Sequence, residues 1–184
     1  VIKNPSNLKA PCSAKWRNSF SLLLNSYVTR EGYFYLSARY LSDILEHMAF
    51  YFYDLETSGI NARAQRIMQF AGQRTDENFQ SLGEPQNWLL KQRDEIVPDP
   101  DAVLITGITP QKTLEEGYSE AEFLKLFYKE VLQPDTIICG FNTIRFDDEF
   151  MRNTLWRNFY DPYEWQWQDG RSRWDLLDVV RMVR

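Results

Sequence analysis

The chain has 184 residues, 43% of them hydrophobic and 15% aromatic, with a formal net charge of −5. This content suffices to bury the core of one ordinary domain and excludes a disordered chain. The negative charge excludes a global basic field that would attract a polyanion, so any contact with nucleic acid requires a local basic patch.

The two cysteines and the distribution of apolar residues indicate the cellular compartment of the protein. Cys12 and Cys139 lie far apart, and Cys139 falls in an apolar run that is typical of a small buried thiol. Nothing indicates a disulfide framework or a cysteine metal site, which favours a reducing, cytoplasmic setting. No stretch approaches the roughly 18 uninterrupted apolar residues of a membrane span, and the N-terminus lacks a secretory pattern. The sequence therefore predicts no membrane association.

The character of the sequence changes near residue 47. Segment 1–47 opens without a methionine and has a weak pattern, although residues 34–48 fit one amphipathic helix. We treat 1–47 as an unrecognised N-terminal extension and 48–184 as a separate domain.

From Met48 onward, the first elements predicted are strands. The stretches AFYFYDLET, QRIMQFAGQRTD and SLGEPQNWLLK predict three strands of a β-meander. The following VPDPDAVLITGITPQKTLEEG predicts a Pro-rich loop that leads into a short helix.

Helix and strand alternate in the next part of the chain. SEAEFLKLFYKEVL predicts an amphipathic helix, with Ser119 as N-cap and Glu122 at capping-box spacing. DTIICGFN predicts a short buried strand and IRFDDEFMRNTLWRNF a helix. Strands followed by alternating helix and strand indicate an α/β fold.

Asp54 and Glu56 stand two positions apart inside an apolar stretch. On a strand, both carboxylates project from the same face, where they repel each other and raise each other's pKa. A divalent cation removes that repulsion, because Mg²⁺ binds hard carboxylate oxygens. The alternative is a solvated strand face near a sheet edge.

Asp147 is a third candidate carboxylate. It lies near the start of the last of these helices, on the face that carries Phe150, Met151 and Leu155, so we expect it to point inward. Its neighbours Asp148 and Glu149 are expected on other faces, where they complement the helix dipole. The same dipole role is the alternative for Asp147.

These residues carry a resemblance to a known family. YDLETSG and GFNTIRFDDEF resemble the first two motifs of the DEDD superfamily of 3′→5′ exonucleases. More narrowly, AVLITGITPQ and the long run from Asn142 to Arg181 resemble the bacterial exodeoxyribonuclease I family, over residues 49 to 184. The resemblance implies a ribonuclease H-like fold, a mixed sheet with flanking helices. It also implies stepwise release of 5′-mononucleotides from the 3′ end of single-stranded DNA.

By position in the motifs, the resemblance implies that Asp54, Glu56 and Asp147 are catalytic and hold two metal ions, Mg²⁺ or alternatively Mn²⁺. Glu56 would also meet the terminal nucleotide. The family's ITGI element would place three residues beside the 3′ end: Thr106, Gly107 and Ile108. Thr106 could instead be a turn hydroxyl and Gly107 a turn glycine.

The sequence also departs from the family pattern. The family's histidine form takes a fourth Asp and a catalytic His from a later helix, whereas the single histidine here, His47, precedes the first motif. We therefore expect the front part of a nuclease domain, truncated at its C-terminal end and impaired in catalysis. The alternatives are a non-catalytic, single-stranded nucleic-acid-binding fragment and an RNA-directed DEDD exonuclease. Single-strand DNA-binding protein would be a partner through later domains of the family.

Aromatic residues and arginines are concentrated in the last forty or so positions. Single-stranded nucleic acid is held by such mixtures, because bases stack on aromatic rings and guanidinium groups contact phosphates. We predict that Tyr163 and Trp167 stack on bases, and that Arg152 and Arg181 contact phosphates. For Arg152 and Arg181, a solvated helix face or a surface ion pair is the alternative.

Other residues of this region are predicted to be structural. Trp156 and Trp174 are embedded in helix-like patterns and are predicted to pack in the core. Asp175 and Asp178 are predicted to cap a helix and form salt bridges, because they precede the family's final motif.

Overall fold

The computed structural model describes residues 48–183. The helix predicted over 34–48, Cys12 and His47 lie outside or at the edge of these residues. Five strands form one mixed sheet in the order β3-β2-β1-β4-β5. The strands are β1 (Ala49–Thr57), β2 (Ile67–Thr75), β3 (Gln86–Leu89), β4 (Thr136–Gly140) and β5 (Ser172–Asp175). The helices are α1 (Pro100–Thr106), α2 (Pro110–Glu116), α3 (Glu120–Leu126), α4 (Asp147–Arg157) and α5 (Leu176–Met182).

The meander predicted from the sequence is present. β1 pairs antiparallel with β2, and β2 pairs antiparallel with β3. Gly72 of β2 pairs with Tyr53 of β1, and a Cβ on Gly72 would lie 2.5 Å from the hydroxyl of Tyr51. Only glycine therefore allows the Tyr51 ring to lie across β2.

The segment between β3 and α3 differs from the prediction. The predicted short helix is present as α2, but a second short helix, α1, lies where only a loop was expected. Each begins with a side-chain cap followed by proline: Asp99 caps α1 before Pro100, and Thr109 caps α2 before Pro110. Proline suits the first helical position because its missing N–H would have no partner there. The prolines here start helices rather than prevent them.

The predicted capping box at the start of α3 is confirmed. Ser119 accepts the Glu122 N–H, and the Glu122 carboxylate accepts the Ser119 N–H. A π-helical turn over Phe127–Val131 extends the helix. β4 follows with every residue buried, and it pairs parallel with β1 and β5.

The main core lies between one face of the sheet and the helices α3 and α4, and Phe70 is at its centre. Its fully buried ring packs against Tyr53, Trp88 and Phe123 at centroid distances of 5.6, 5.2 and 5.5 Å. On β1, Tyr51, Tyr53 and Leu55 point into this core, as the strand alternation requires. Asp54 and Glu56 consequently lie on the opposite face.

The core position predicted for Trp174 is wrong. This residue lies in strand β5 rather than in a helix. Its exposed ring and the ring of Phe50 are arranged edge to face, with 5.7 Å between the ring centroids. Asp175 caps α5 by accepting the Leu177 N–H, and Asp178 pairs with Arg145 and Arg181. The capping and salt-bridge roles predicted for Asp175 and Asp178 are confirmed.

Cys139 is expected to resist thiol reagents in the folded protein. It is buried in β4, and burial raises the pKa of its thiol to about 12, so little reactive thiolate forms at neutral pH. Iodoacetamide labelling of a Cys12→Ser variant, followed by mass spectrometry, should show modification only after denaturant is added. Rapid labelling of the native protein would contradict this burial.

Between residues 48 and 183, none of the helices combines the length and the apolar character needed to cross a bilayer.

Candidate active site

The candidate site lies where two parallel strands separate. β4 pairs with β1 only from Ala49 to Phe52, whereas β1 continues to Thr57. Past the last shared pair, Asp147 at the start of α4 takes the place of β4, and its Oδ1 accepts the Leu55 N–H at 3.2 Å. Crevices at the carboxyl ends of parallel strands are the usual ligand sites of open α/β sheets.

Asp54 lies close enough to Glu56 and Asp147 for its charge to raise the pKa of both. Burial, and then the charge of Asp54, raises the pKa of Asp147 to about 7. The same two causes, in the same order, raise the pKa of Glu56. Asp54 itself is exposed on the sheet face, and Asp147 is only 3% exposed. Asp54 is therefore the common electrostatic neighbour of the other two carboxylates.

These acids fit a divalent cation by chemistry, although their side chains are not gathered around one point. Within residues 48–183, no three acidic, histidine or cysteine side chains lie at the spacing of ligands to one ion. The three carboxylates supply the hard oxygen donors that Mg²⁺ and Mn²⁺ prefer. Asp54 is exposed and Glu56 is only partly buried, so both carboxylates are accessible from solvent.

Asp148 is placed differently from the prediction. Instead of lying on a solvated face, it is fully buried, and its carboxylate accepts the Tyr53 hydroxyl at 2.5 Å. It also forms an ion pair with Arg173 and accepts the Gln166 amide at 3.0 Å. A buried charge needs such partners, so Asp148 is a structural acid rather than a solvated one.

Residues 106–108 have local structural roles. The Thr106 hydroxyl accepts the Ile108 N–H at 3.1 Å, and Gly107 ends α1 in a left-handed conformation at φ 70°. Ile108 is buried. The α1 N-cap Asp99 donates its N–H to the Ser58 carbonyl at 2.7 Å, which ties this helix to the end of β1. A contact of residues 106–108 with substrate stays a prediction.

The two arginines predicted to contact phosphate are both engaged in ion pairs. Arg152 pairs with Glu149, lies 3.8 Å from Asp148 and stacks over the Tyr163 ring at 5.4 Å. Arg181 is exposed on α5, with Asp178 at 3.4 Å. Contact of either arginine with phosphate stays a prediction, because each now pairs with a carboxylate of its own helix.

The structure separates the aromatic residues into buried and exposed groups. Tyr163 and Trp167 are exposed, while Trp165 between them is buried and donates its Nε1–H to the Pro162 carbonyl. Trp156 is 70% exposed, so its predicted core position is wrong. It lies on the side of α4 that faces away from Phe150.

Sequence reasoning missed two grooves, one of which is lined in part by Asp54. One, of about 670 Å³, is lined by Asp54, Phe52, Gln73 and Phe141 among others. The other, of about 420 Å³, includes both Arg63 and Arg145. Their lining residues come from segments distant in sequence, so no local spacing indicates them.

Comparisons with known proteins identify the family of the chain. The family described as Exonuclease matches residues 51–184. Exodeoxyribonuclease I of Escherichia coli is 48% identical over 141 residues, which cover 77% of this chain and 30% of that protein. Exodeoxyribonuclease I of Haemophilus influenzae is 48% identical over 138 residues, which cover 75% of this chain and 29% of that protein. The chain thus spans about 30% of the length of these relatives.

Solved structures give the same fold. E. coli exonuclease I in complex with a dA16 oligonucleotide superimposes with a TM-score of 0.72 and 48% identity, covering 74% of this chain and 30% of the other. A structure described as an ExoI/SSB-Ct complex superimposes with a TM-score of 0.71 and 49% identity, covering 73% of this chain and 30% of the other. These matches confirm the ribonuclease H-like fold and the resemblance found in the sequence. The chain belongs to the exonuclease family.

Proposed function

We propose that this protein is a metal-dependent 3′→5′ exonuclease that releases 5′-mononucleotides from single-stranded DNA. The main observation behind the proposal is the hydrogen bond from the Leu55 N–H of β1 to the Asp147 carboxylate. This bond brings a third carboxylate to the end of β1, near Asp54 and Glu56. The E. coli relative was solved with an oligonucleotide, which supports a nucleic-acid substrate.

Asp54, Glu56 and Asp147 would hold the divalent ions of the site. When bound, such ions supply Lewis-acid chemistry for phosphodiester hydrolysis, and two of them are proposed here, as Mg²⁺ or Mn²⁺. Glu56, on the partly buried side of β1, would also orient the terminal nucleotide. Thr106, Gly107 and Ile108 would hold the 3′ end from α1, which Asp99 ties to the end of β1.

The strand would leave the site over the exposed aromatic loop. The side chains of Tyr163 and Trp167 are exposed, and base–aromatic stacking contributes about 1–3 kcal/mol per base. Arg152 and Arg181 would take phosphates, exchanging their present carboxylate partners for the nucleic acid.

A second candidate is single-stranded nucleic-acid binding without hydrolysis. The observation that favours it is the exposure of Tyr163 and Trp167, whose side chains could stack on bases whether or not the carboxylates hydrolyse the strand. Single-strand DNA-binding protein is proposed as a partner, supported by the ExoI/SSB-Ct relative.

A reducing, cytoplasmic setting is supported by the free thiol of Cys139.

Divalent binding tests the metal assignment. We expect the chain to bind Mn²⁺ more tightly than Mg²⁺, following the usual order of affinities, and Asp54→Asn or Asp147→Asn to weaken binding of both ions. Isothermal titration calorimetry measures this, with Asp178→Asn as a control for the loss of an exposed carboxylate elsewhere. Undiminished binding in both site variants would refute the assignment.

Binding of single-stranded DNA tests the strand path. A fluorescent oligodeoxynucleotide should bind with an affinity that falls as salt is added, because phosphate contacts release counterions. Trp167→Ala should weaken binding by about 1–3 kcal/mol, whereas Trp156→Ala, which removes a still more exposed tryptophan on α4, should change it little. Equal losses in the two variants, measured by fluorescence anisotropy, would argue against the path over Trp167.

A further inference from the structure

The two consecutive aspartates at the start of α4 hold the two residues that flank Asp54 on β1. Asp147 accepts the Leu55 N–H at 3.2 Å, and Asp148 accepts the Tyr53 hydroxyl at 2.5 Å. These bonds lie just beyond the point where β1 loses its pairing with β4 at Phe52. Beyond Phe52, the start of α4 therefore replaces β4 as the hydrogen-bonding partner of β1.

Asp148 is itself fixed from several sides. Arg173 of β5 donates its Nε–H to Asp148 Oδ2 at 3.2 Å and forms a further bond to Oδ1. The same guanidinium donates to the Ile138 carbonyl of β4 at 2.7 Å. Gln166 donates to Asp148 Oδ2 at 3.0 Å. Arg173 therefore links β4 and β5 to the start of α4 through one buried charge.

Aromatic rings enclose this ion pair. The Arg173 guanidinium lies 5.4 Å from the Tyr53 ring centroid and 5.1 Å from that of Trp165. The side chains of Asp148 and Arg173 are only 1% and 9% exposed. Hydrogen bonds of buried charges depend strongly on geometry, because no water can replace a lost partner. The network therefore has little freedom to move.

We propose that Asp148 and Arg173 are positioning residues that hold α4 against β1 at the spacing at which Asp147 can act together with Asp54 and Glu56. This inference rests on the proposed function. Neither residue touches the reacting atoms in this role: Asp148 acts through Tyr53 and Arg173 acts through Asp148. Replacing residues that orient metal ligands typically lowers metal affinity by about 10–100-fold.

The test compares Asp148→Asn with Tyr53→Phe and Asp169→Asn in the 184-residue chain. Asp148→Asn keeps the shape and removes the charge, and Tyr53→Phe removes one hydroxyl and keeps the ring. Asp169→Asn is the matched control, because Asp169 also pairs with an arginine, Arg171 at 3.3 Å, but lies outside the network. Circular dichroism establishes that each variant is folded.

Two readouts apply to each variant. Titration with Mn²⁺, followed by electron paramagnetic resonance, should show an affinity about tenfold lower or more in Asp148→Asn, a smaller loss in Tyr53→Phe and none in Asp169→Asn. Amide hydrogen exchange at Leu55 should be faster in Asp148→Asn and Tyr53→Phe than in Asp169→Asn, because Asp147 would no longer be held against that N–H.

The outcomes separate this inference from the proposed function. Native Mn²⁺ affinity and native Leu55 exchange in both network variants would overturn the positioning role. If Asp54→Asn leaves the Mn²⁺ affinity of the chain unchanged, the proposed function fails. Faster Leu55 exchange in the network variants would then still support the positioning of Asp147. Should Asp148→Asn fail to fold, Tyr53→Phe decides the question by the same two readouts.

Discussion

The polypeptide of residues 1–184 is expected to digest single-stranded DNA about 10²–10⁴-fold more slowly than E. coli exodeoxyribonuclease I, since a positioned general base contributes about that factor. Residues 1–184 contain the three candidate carboxylates, Asp54, Glu56 and Asp147, and no histidine after Asp147. A 5′-labelled oligonucleotide digested in Mg²⁺, with products resolved by length, measures the rate and the 3′→5′ direction.

Glu56→Ala is the control for this experiment. It should remove any residual stepwise shortening, because Glu56 is one of the proposed metal ligands and lies beside Asp54 on the same face of β1. Fast digestion by the original chain that Glu56→Ala abolishes would show that another group supplies the base. Residual shortening that persists in Glu56→Ala would count against the carboxylate site.

Phe70→Ala is expected to lower the free energy of unfolding by about 3–5 kcal/mol, the usual cost of truncating a buried phenylalanine. Phe70 is 0% exposed and packs against Tyr53, Trp88, Phe123 and Phe127. The alanine would leave a cavity in the centre of the core and remove these ring contacts. Urea unfolding followed by tryptophan fluorescence and circular dichroism measures the loss.

The chain offers a matched control in Phe159→Ala. Phe159 is 99% exposed, so the same chemical change should alter the free energy of unfolding by no more than about 0.5 kcal/mol. Equal destabilisation by the two variants would contradict the packing described here. A small effect of Phe70→Ala alone would mean that the surrounding rings collapse into the space.

Features that depend on neighbours in sequence could be predicted from the sequence. The alternation along β1 placed Asp54 and Glu56 on one face, and the capping box located the start of α3. The inward position of Asp147 followed from helical periodicity. The missed helix α1 also had a local signal, Asp99 followed by Pro100, which the Pro-rich composition obscured. The motif resemblance indicated the family, because it rests on residue order alone.

Other features could be determined only by the tertiary structure, because they depend on residues far apart in the chain. Asp148 resembled a solvated acid in the first turn of a helix, yet Tyr53 and Arg173 make it a buried ion-pair partner. Trp156 is exposed because α4 packs through another side. Local sequence determines the periodicity of an element and its caps. The side of an element that meets the core, and the partners of each charge, are determined by where β1, α4 and β5 come together.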